Sequence, residues 1–534
     1  METFTPIYLF IIILILNVNN NSFFPAVKCS EGNTFKFKIS GNEFPVTNYT
    51  YGEQTKESIT SLSDMNFLAI WQSAAQDGSG LGIIGRQFDA TFRGTPISRG
   101  KEFLVKGNTE GNQQAPSTLY LTKELIAIVW ESTVLNEQVS GIYLQVYFCR
   151  MQETPRKIGH EICLDVPSSE TSSKNPYFQR LNSQLAVVAW EKYFIKDNSK
   201  SIIEGKLIQI TGNGTNLDIF VSFTIEPELK KHNYFRPSIA ILEKVNHFVV
   251  VWKNEDTSTE PTRTNIKAQL FQYLEKSNAR SIISVGQQLS ITNLSNRSSD
   301  SPSVIPYFND GFVVIYRKSN SFGSEYEIYA NLIYPDFSKG THNIGKEFRI
   351  SELQGGISKK SPTVVNINEH IFLALWSQYS PNSKTFQIFG RLYTFKALYE
   401  QPTAINEPQI INKENGFDHD YPQASYLDLT KIIILYQSKD QNLHKQGIFG
   451  QIYTLTEYTS SKRKNLVNII LRGLFIILAL IATIIIIWKK VSKPKDFVKN
   501  EDYQEIPLSY NIKNSKRQIE KESLFQDDDV SEWI

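Results

Sequence analysis

One pattern recurs seven times along this chain and limits its fold more than any other feature. An apolar run of aliphatic residues ends in an aromatic residue, and successive aromatic markers lie 59 to 64 residues apart. The markers are Trp71, Trp130, Trp190, Trp252, Tyr316, Trp376 and Tyr436. A fixed period of this length is typical of repeat proteins, in which each unit buries its apolar face against its neighbours. We therefore expect one large repeat domain.

Each repeat reads as four β-strands, A to D. Strand A follows a proline, which suits the first position of a strand because it has no N–H to donate. The prolines are Pro116, Pro176, Pro237, Pro302, Pro362 and Pro422, and Glu57 takes this place in the first repeat. Strand B is the apolar run. Strand C carries a small residue, at Gly85, Gly205, Ala268, Ala330, Gly390 and Gly450, with Leu144 as the exception. Strand D has a Gly-x-Glu-Phe pattern, as in residues 100–103 and 345–348.

Four short strands in each of seven repeats predict an all-β, seven-bladed β-propeller. The two ends of the array indicate how the ring closes. The last repeat stops after strand C, at residues 447–453, while residues 41–44 match the strand D pattern and precede the first strand A. We therefore expect the propeller to occupy residues 40–456, with an N-terminal strand around Phe44 pairing beside Ile448 to complete the seventh blade.

The first repeat resembles the tandem propeller repeats of bacterial and protist surface proteins. The resemblance rests on the phrase Trp-Gln-Ser at 71–73, Asp-Gly-Ser-Gly at 77–80 and Gly-Arg-Gln-Phe at 85–88. The Gly-His and Trp-Asp signatures of WD40 units are absent, and the period exceeds the ~40 to 45 residues of that family. The resemblance implies a β-propeller fold.

Both ends of the chain indicate a membrane protein. Residues 7–18 form a short apolar run that predicts a signal peptide over residues 1–29, although a buried strand or a signal anchor would show the same pattern. Residues 465–488 supply a run long enough to cross a bilayer as a helix. Together they predict a single-pass type I topology, with a stalk at 457–464, a transmembrane helix at 465–488 and a disordered cytoplasmic tail at 489–534. The membrane is either the plasma membrane or an endomembrane, with the propeller extracellular or luminal.

The exported part contains possible modification sites. Four Asn-x-Ser/Thr sequons predict N-glycosylation at Asn48, Asn213, Asn293 and Asn296. Cys149 ends strand C of the second repeat and Cys163 lies in its strand D, so we expect a disulfide in an oxidising compartment, with two free thiols as the alternative.

The predicted tail carries one short signal. Tyr503-Gln-Glu-Ile506 resembles the endocytic pattern of tyrosine, two residues and a bulky apolar residue, which makes Tyr503 and Ile506 a candidate sorting motif.

Nothing in the sequence indicates catalytic residues, a metal site or a cofactor. The metalloprotease, phosphate-loop and serine hydrolase motifs are missing, and we therefore expect no enzyme activity. Asp77-Gly78 reads as a tight turn more readily than as a calcium loop. The cluster Asp418-His419-Asp420 reads as a solvated loop, with a metal or ligand site as the alternative.

A net charge of +2, without a basic stripe, argues against a nucleic-acid partner. Binding residues in such folds lie on loops over a rigid scaffold. The D-to-A and B-to-C connections share one face, and four of them are long and polar, at Lys106 to Ala115, Val166 to Asn175, Asn254 to Thr264 and Ser351 to Ser361. We call it the long-loop face and expect it to point away from the bilayer and bind an unknown protein or glycan.

These features favour a receptor or adhesion protein. A cargo-sorting receptor of the secretory or endosomal system and a membrane-tethered glycan-processing enzyme are the alternatives. Carboxylates clustered at the central mouth of the ring would favour the enzyme.

Overall fold

The computed structural model describes residues 33–459, apart from short segments, together with Ile481, Ile484 and Ile485. The segments left out are 50, 63–64, 92–93, 107–109, 123, 134–138, 151–152, 197–199, 228–230, 243–245, 277–278, 294–296, 309–310, 321–322, 338–340, 353–355, 397–399, 414–415, 429 and 440–445.

Thirty β-strands make up almost all regular structure of the described residues. They are β1 (Asn33–Pro45), β2 (Gln54–Ser61), β3 (Asn66–Ala74), β4 (Leu81–Asp89), β5 (Ile97–Leu104), β6 (Gln113–Thr122), β7 (Leu125–Thr133), β8 (Ser140–Phe148), β9 (Arg156–Asp165), β10 (Thr171–Arg180), β11 (Leu185–Phe194), β12 (Lys200–Thr211), β13 (Asn216–Ile225), β14 (His232–Leu242), β15 (His247–Asp256), β16 (Arg263–Lys276), β17 (Ala279–Ser290), β18 (Ser299–Tyr307), β19 (Gly311–Ser319), β20 (Tyr326–Asp336), β21 (Thr341–Ile344), β22 (Phe348–Arg349), β23 (Lys359–Asn368), β24 (Ile371–Ser380), β25 (Thr385–Thr394), β26 (Thr403–Ala404), β27 (Gln409–Ile410), β28 (Asp418–Tyr426), β29 (Lys431–Lys439) and β30 (Gln446–Thr459). One 3-10 turn, Gly212–Gly214, follows β12.

The strands form seven antiparallel sheets, which confirms the predicted seven-bladed propeller. Blade 1 has the order β2-β3-β4-β5, and blades 2 to 6 repeat it along the chain. The fourth strand is split into β21 and β22 in blade 5 and into β26 and β27 in blade 6. Blade 7 has the order β1-β30-β29-β28, so the N-terminal strand completes the last blade. In the register of β1 and β30, Phe44 lies opposite Gly450 and Pro45 lies opposite Phe449. The two ends of the repeat array predicted this pairing of the segments around Phe44 and Ile448.

Seven hydrophobic clusters hold the blades together, each shared by two neighbouring blades. Strand B contributes side chains to the clusters on both faces of its blade, because successive side chains of a strand point in opposite directions. In β11, Ala186, Val188 and Trp190 pack toward blade 2, while Val187 and Ala189 pack toward blade 4. The seven aromatic markers are all fully buried, each against the preceding blade. The cluster between blades 7 and 1 closes the ring in the same way as the other six.

In blades 1, 3 and 7 the small residue of strand C makes room for an aromatic ring of strand D. Gly85 lies opposite Phe103, and a Cβ atom at Gly85 would come within 2.5 Å of that ring. Gly205 and Gly450 stand in the same relation to Phe223 and Phe44. Where strand C has Leu144, its partner is the smaller Ile162. Strand D therefore packs over strand C through matched side-chain sizes, which explains the exception in the second repeat.

The connections differ between the two faces less than expected. The A-to-B turns are short, as at 369–370, whereas D-to-A connections such as 350–358 are longer. The C-to-D connections share a face with the short turns, however, and one of them spans 395–402. Strands also extend into several of the loops that the sequence predicted, so loop length alone does not single out a binding face.

The predicted Cys149–Cys163 disulfide is corrected by the strand register. Cys163 in β9 lies opposite Tyr143, while Cys149 follows the end of β8, six residues farther along that strand. At about 3.3 Å per residue this offset is roughly 20 Å, far beyond the reach of a disulfide. Both thiols are free, and burial raises the pKa of Cys149 to about 12. The alternative of two free thiols fits the structure.

Several predicted segments lie outside the described residues. These are the signal peptide 1–29, the transmembrane helix 465–488 apart from Ile481, Ile484 and Ile485, and the tail 489–534. Strand β30 includes residues 457–459 of the predicted stalk. Within the part of the chain that the structure describes, no helix has both the length and the apolar character needed to cross a membrane.

Candidate functional site

The first strand of every blade lines the axis of the ring, and each contains a bulge at the same place. The residue at the bulge has a left-handed backbone, with φ between 50° and 53°. The seven residues are Lys56, Ala115, Asn175, Arg236, Ser301, Ser361 and Tyr421. In blades 2 to 7 the next residue is the repeat proline, which a bulge tolerates because no ladder hydrogen bond is needed there. We call these seven residues the axial ring.

Side chains from the preceding blade hold the axial ring in place at three consecutive seams. The residue after the aromatic marker accepts the backbone N–H of the next ring residue. Gln72 Oε1 accepts from Ala115 at 3.2 Å, and Glu131 Oε2 accepts from Asn175 at 3.3 Å. Glu191 Oε1 accepts from Arg236 at 2.7 Å. The ring geometry therefore depends on contacts between blades.

A cavity of about 990 Å³ runs along the axis between the seven first strands. Arg236, Ser301, Ser361 and Tyr421 line it at the end nearest the long-loop face, and this end is the axial mouth. Its wall is rich in hydroxyl and amide side chains, including Ser58, Ser117, Thr118, Gln179, Ser238 and Gln423. A cavity of this size and polarity suits a small polar ligand or one end of a larger one.

Charged groups surround the axial mouth in pairs. Arg317 donates to both carboxylate oxygens of Asp300 at 2.7 and 2.6 Å, and Lys360 pairs with Asp420 at 2.6 Å. Both cations also lie over aromatic rings, Arg317 over Tyr326 and Lys360 over Phe386. The pairs fix these side chains at the rim.

Tyr421 presents an aromatic surface at the axial mouth. Its side chain is 48% exposed although the residue lines the cavity. Its backbone N–H donates to Asp420 Oδ1 at 2.8 Å. An exposed aromatic ring beside polar groups is a common surface for stacking a ligand ring.

Glu57 takes the repeat position that proline holds in the other six blades, and the residue is 6% exposed. Gln437 of blade 7 donates to its Oε2 at 2.9 Å, and Oε1 has no hydrogen-bond partner among the described residues. Burial raises the pKa of Glu57 from 4.5 to about 8, and the charge of nearby Asp420 adds to the rise. The bond from Gln437 acts in the opposite direction. Glu57 therefore keeps its proton at neutral pH.

The cluster Asp418-His419-Asp420 lies in strand β28, which corrects the loop that the sequence predicted. His419 is fully buried and packs edge-on against Tyr436, with ring centroids 5.5 Å apart. Burial lowers its pKa to about 4, so His419 is a neutral core residue at physiological pH. Among the described residues no group of three or more His, Cys, Asp or Glu side chains is arranged to hold a metal.

The Asp77-Gly78 segment forms the turn that its sequence favours. Asp77 Oδ1 accepts the N–H of Ser79 at 3.1 Å, which is the hydrogen bond of an Asx turn. This bond stabilises the connection between β3 and β4.

The predicted glycosylation sites are divided between the two faces. Asn48 and Asn293 are exposed and lie in D-to-A connections on the long-loop face. Asn213 lies in the 3-10 turn after β12, on the opposite face. Asn296, Tyr503 and Ile506 lie outside the described residues. Arg86 donates to Asn48 Oδ1 at 2.8 Å, which orients that amide.

The axial ring was not predicted from the sequence, although the sequence contains a pattern that marks its position. Six prolines at one repeat position mark a bulge, and the residue before each of them supplies the ring side chain. The left-handed conformation of that residue could not be predicted from the sequence, because a residue before proline normally prefers an extended backbone.

Comparison with known proteins yields solved structures only. No protein-family model matches the chain, and no curated protein matches it. A Dyadobacter fermentans protein of unknown function is 11% identical, with a TM-score of 0.45, over 80% of this chain and 100% of its own. A Penicillium chrysogenum α-L-arabinanase is 10% identical, with a TM-score of 0.41, over 78% and 98% of the two chains. A Streptococcus pneumoniae sialidase is 14% identical, with a TM-score of 0.38, over 79% and 70%.

These matches correct the expectation that the chain is not an enzyme. That expectation rested on missing motifs, yet the solved structures similar to this chain include an arabinanase and a sialidase. At these identities and TM-scores they assign no activity to it. The resemblance of the first repeat to surface-protein repeats stays a prediction.

Proposed function

We propose that this protein is a single-pass type I membrane protein whose propeller binds a glycan at the axial mouth, in a receptor or adhesion role. The axial cavity is the observation that carries the binding function, because seven blades contribute polar side chains to one space of about 990 Å³. The apolar run at 465–488 and the sequons are the sequence features that support membrane attachment and export.

The chemistry of the cavity wall favours a glycan over a protein ligand. Hydroxyl and amide groups such as Thr118 and Gln179 match the hydroxyl groups of a sugar, and Tyr421 offers a face for a sugar ring. Protein interfaces rely instead on buried aromatic and Arg anchors set in apolar pockets.

Filling the cavity tests this proposal. Gln179 lines the cavity, and Gln179→Trp places an indole there. Gln287→Trp is the matched control, since Gln287 is exposed on the outer strand of blade 4. Full-length protein in detergent micelles is applied to an array of immobilised glycans. We expect Gln287→Trp to bind like the wild type and Gln179→Trp to lose binding. Equal binding by both variants would place the ligand elsewhere.

A glycan-processing enzyme is the second candidate, because carboxyl groups gather beside the axial mouth. Asp300 and Asp420 are ion-paired at the rim, and Glu57 lies close enough to Asp420 for the charge of Asp420 to help keep Glu57 protonated. Glycoside hydrolysis generally uses two carboxyl groups, one protonated and one ionised. Release of reducing sugar from a bound glycan, lost in Asp420→Asn, would assign the site to that reaction.

A cargo-sorting receptor differs from a surface receptor in its use of the tail. Replacing Tyr503 by Ala is expected to shift the steady-state distribution of a sorting receptor toward the cell surface. An unchanged distribution would remove the sorting alternative.

A further inference from the structure

Two cations, Arg236 at the axial mouth and Lys56 in the axial ring, form no salt bridge among the described residues, although the charge of Lys56 acts on the nearby Glu131. Arg236 is exposed and lines the cavity, and among the described residues its guanidinium group donates only to Ser301 Oγ, at 2.9 Å. Lys56 is also exposed, and its ammonium group donates to Asn175 Oδ1 at 3.3 Å, so its side chain reaches from blade 1 to blade 3. Ala115 is the axial-ring residue of the intervening blade 2.

The carboxyl groups near these cations have other partners. Asp300 and Asp420 pair with Arg317 and Lys360. Glu131 and Glu191 each accept the backbone N–H of an axial-ring residue. Glu131 also accepts a hydrogen bond from the Gln114 side chain, and Glu191 accepts one from the Tyr193 hydroxyl group. Arg236 and Lys56 thus take part in no ion pair of the described residues, and it is these two side chains, not a net charge of the mouth, that could bind an anion.

The backbone and head group of Arg236 are held from two sides. Its backbone N–H is fixed by Glu191 of blade 3, and its guanidinium group touches Ser301 of blade 5. One hydroxyl bond leaves most of the five guanidinium N–H donors available to a ligand. A side chain fixed in this way loses less freedom on binding, which strengthens each contact that it makes.

We propose that the axial mouth selects glycans that carry an anionic substituent, a carboxylate or a sulfate, which Arg236 and Lys56 bind while the sugar ring packs on Tyr421. This inference rests on the proposed glycan-binding function. The geometry of Arg favours planar oxyanions, which it binds through two parallel hydrogen bonds.

Matched oligosaccharides test the selection directly. The probes are pairs that differ only in one group: glucuronate-terminated against glucose-terminated, and sulfated against unsulfated. Binding to the full-length protein in micelles is measured by titration at two salt concentrations. We expect an anionic probe to bind at least about 10-fold more tightly than its neutral partner, and high salt to reduce this preference.

Variants of axial-ring residues identify the side chains responsible for the preference for anionic glycans. Arg236→Gln and Lys56→Gln remove charge and keep a hydrogen-bonding side chain. We expect the preference to fall by about 10- to 100-fold in Arg236→Gln, which loses a charge-assisted contact. Arg236→Lys retains part of it. Lys101→Gln, which removes an exposed charge on the outer strand of blade 1, is expected to bind like the wild type. Thermal unfolding checks that each variant is folded.

The outcomes separate this inference from the proposed function. Equal binding of charged and neutral partners, both lost in Gln179→Trp, would overturn anionic selection and leave the glycan site standing. A preference that Arg236→Gln does not change would also overturn it. Binding of neither partner would overturn the proposed function. Binding of an acidic peptide alone, dependent on Arg236, would show that the ligand is not a glycan.

Discussion

The buried carboxyl group of Glu57 makes the stability of the ring depend on pH. In the unfolded chain the group ionises near 4.5, and in the folded protein near 8. Below pH 4.5 both states hold the proton, so Glu57 causes no pH dependence there. Between these values only the folded state holds it, and the free energy of unfolding falls as pH rises, by up to ~1.4 kcal/mol per pH unit. Above pH 8 both states are ionised and the decline ends.

This loss amounts to about 3 kcal/mol between pH 5 and pH 8 for a shift of this size. Glu57→Gln keeps the shape of the side chain and its contact with Gln437 but cannot ionise. We therefore expect the variant to unfold with a weaker pH dependence than the wild type and to exceed it in stability at pH 8. Glu53→Gln is the matched control, because Glu53 is an exposed carboxylate four residues away in the sequence.

Urea unfolding of the full-length protein, followed by the fluorescence of the buried tryptophans, measures the free energy of unfolding at each pH. Parallel pH profiles for the wild type and Glu57→Gln would refute the reasoning. So would an equal effect of Glu53→Gln, because the pH dependence would then belong to surface charge in general.

Three further predictions follow from the packing and the surface. Gly85→Ala is expected to destabilise the protein by about 1–3 kcal/mol, because its Cβ would clash with Phe103. Adding Phe103→Ile, which imitates the Leu144–Ile162 pair of blade 2, should recover part of this in denaturant unfolding; no recovery would argue against the size matching. Alkylation without reductant is expected to spare Cys149 in the folded protein and to modify both Cys149 and Cys163 after unfolding, and a disulfide-linked peptide in the mass spectrum would contradict the register. If the protein is exported, glycosidase treatment should lower its mass, and Asn48→Gln and Asn293→Gln should each reduce that shift; an unmodified protein would contradict the sequons.

The overall architecture could be predicted because it depends on periodic features. Alternating apolar residues such as Ala186 to Trp190 must be buried on both faces, and this requires a blade on each side. The missing fourth strand of the last repeat and the matching pattern at Phe44 then determine the closure.

Features that depend on register or on contacts between blades could not be predicted in the same way. The Cys149–Cys163 pair was misjudged because neighbouring strands bring together only residues at matching positions, and six residues separate Cys149 from the partner of Cys163. His419 was misjudged because Asp418 and Asp420 made its segment look like a loop, whereas alternation in a strand directs the middle residue to the core. Glu57 is buried against blade 7, where it contacts Gln437, and this contact joins residues that are 380 positions apart in the sequence.

Closure of the ring by β1 and β30 is the claim on which the axial cavity and both proposals depend. Lys38 lies opposite Thr454, which in turn lies opposite Lys431 on its other side. Opposite residues have Cα atoms about 4.5–5.5 Å apart, within disulfide range, whereas Lys38 and Lys431 are two strand spacings apart, at roughly 10 Å.

Peptide mapping of the oxidised full-length protein is therefore the most direct test. We predict an intramolecular link in the double variant Lys38→Cys with Thr454→Cys, and none in Lys38→Cys with Lys431→Cys. The absence of the first link, or its formation only between molecules, would show that the N-terminal strand does not complete the seventh blade.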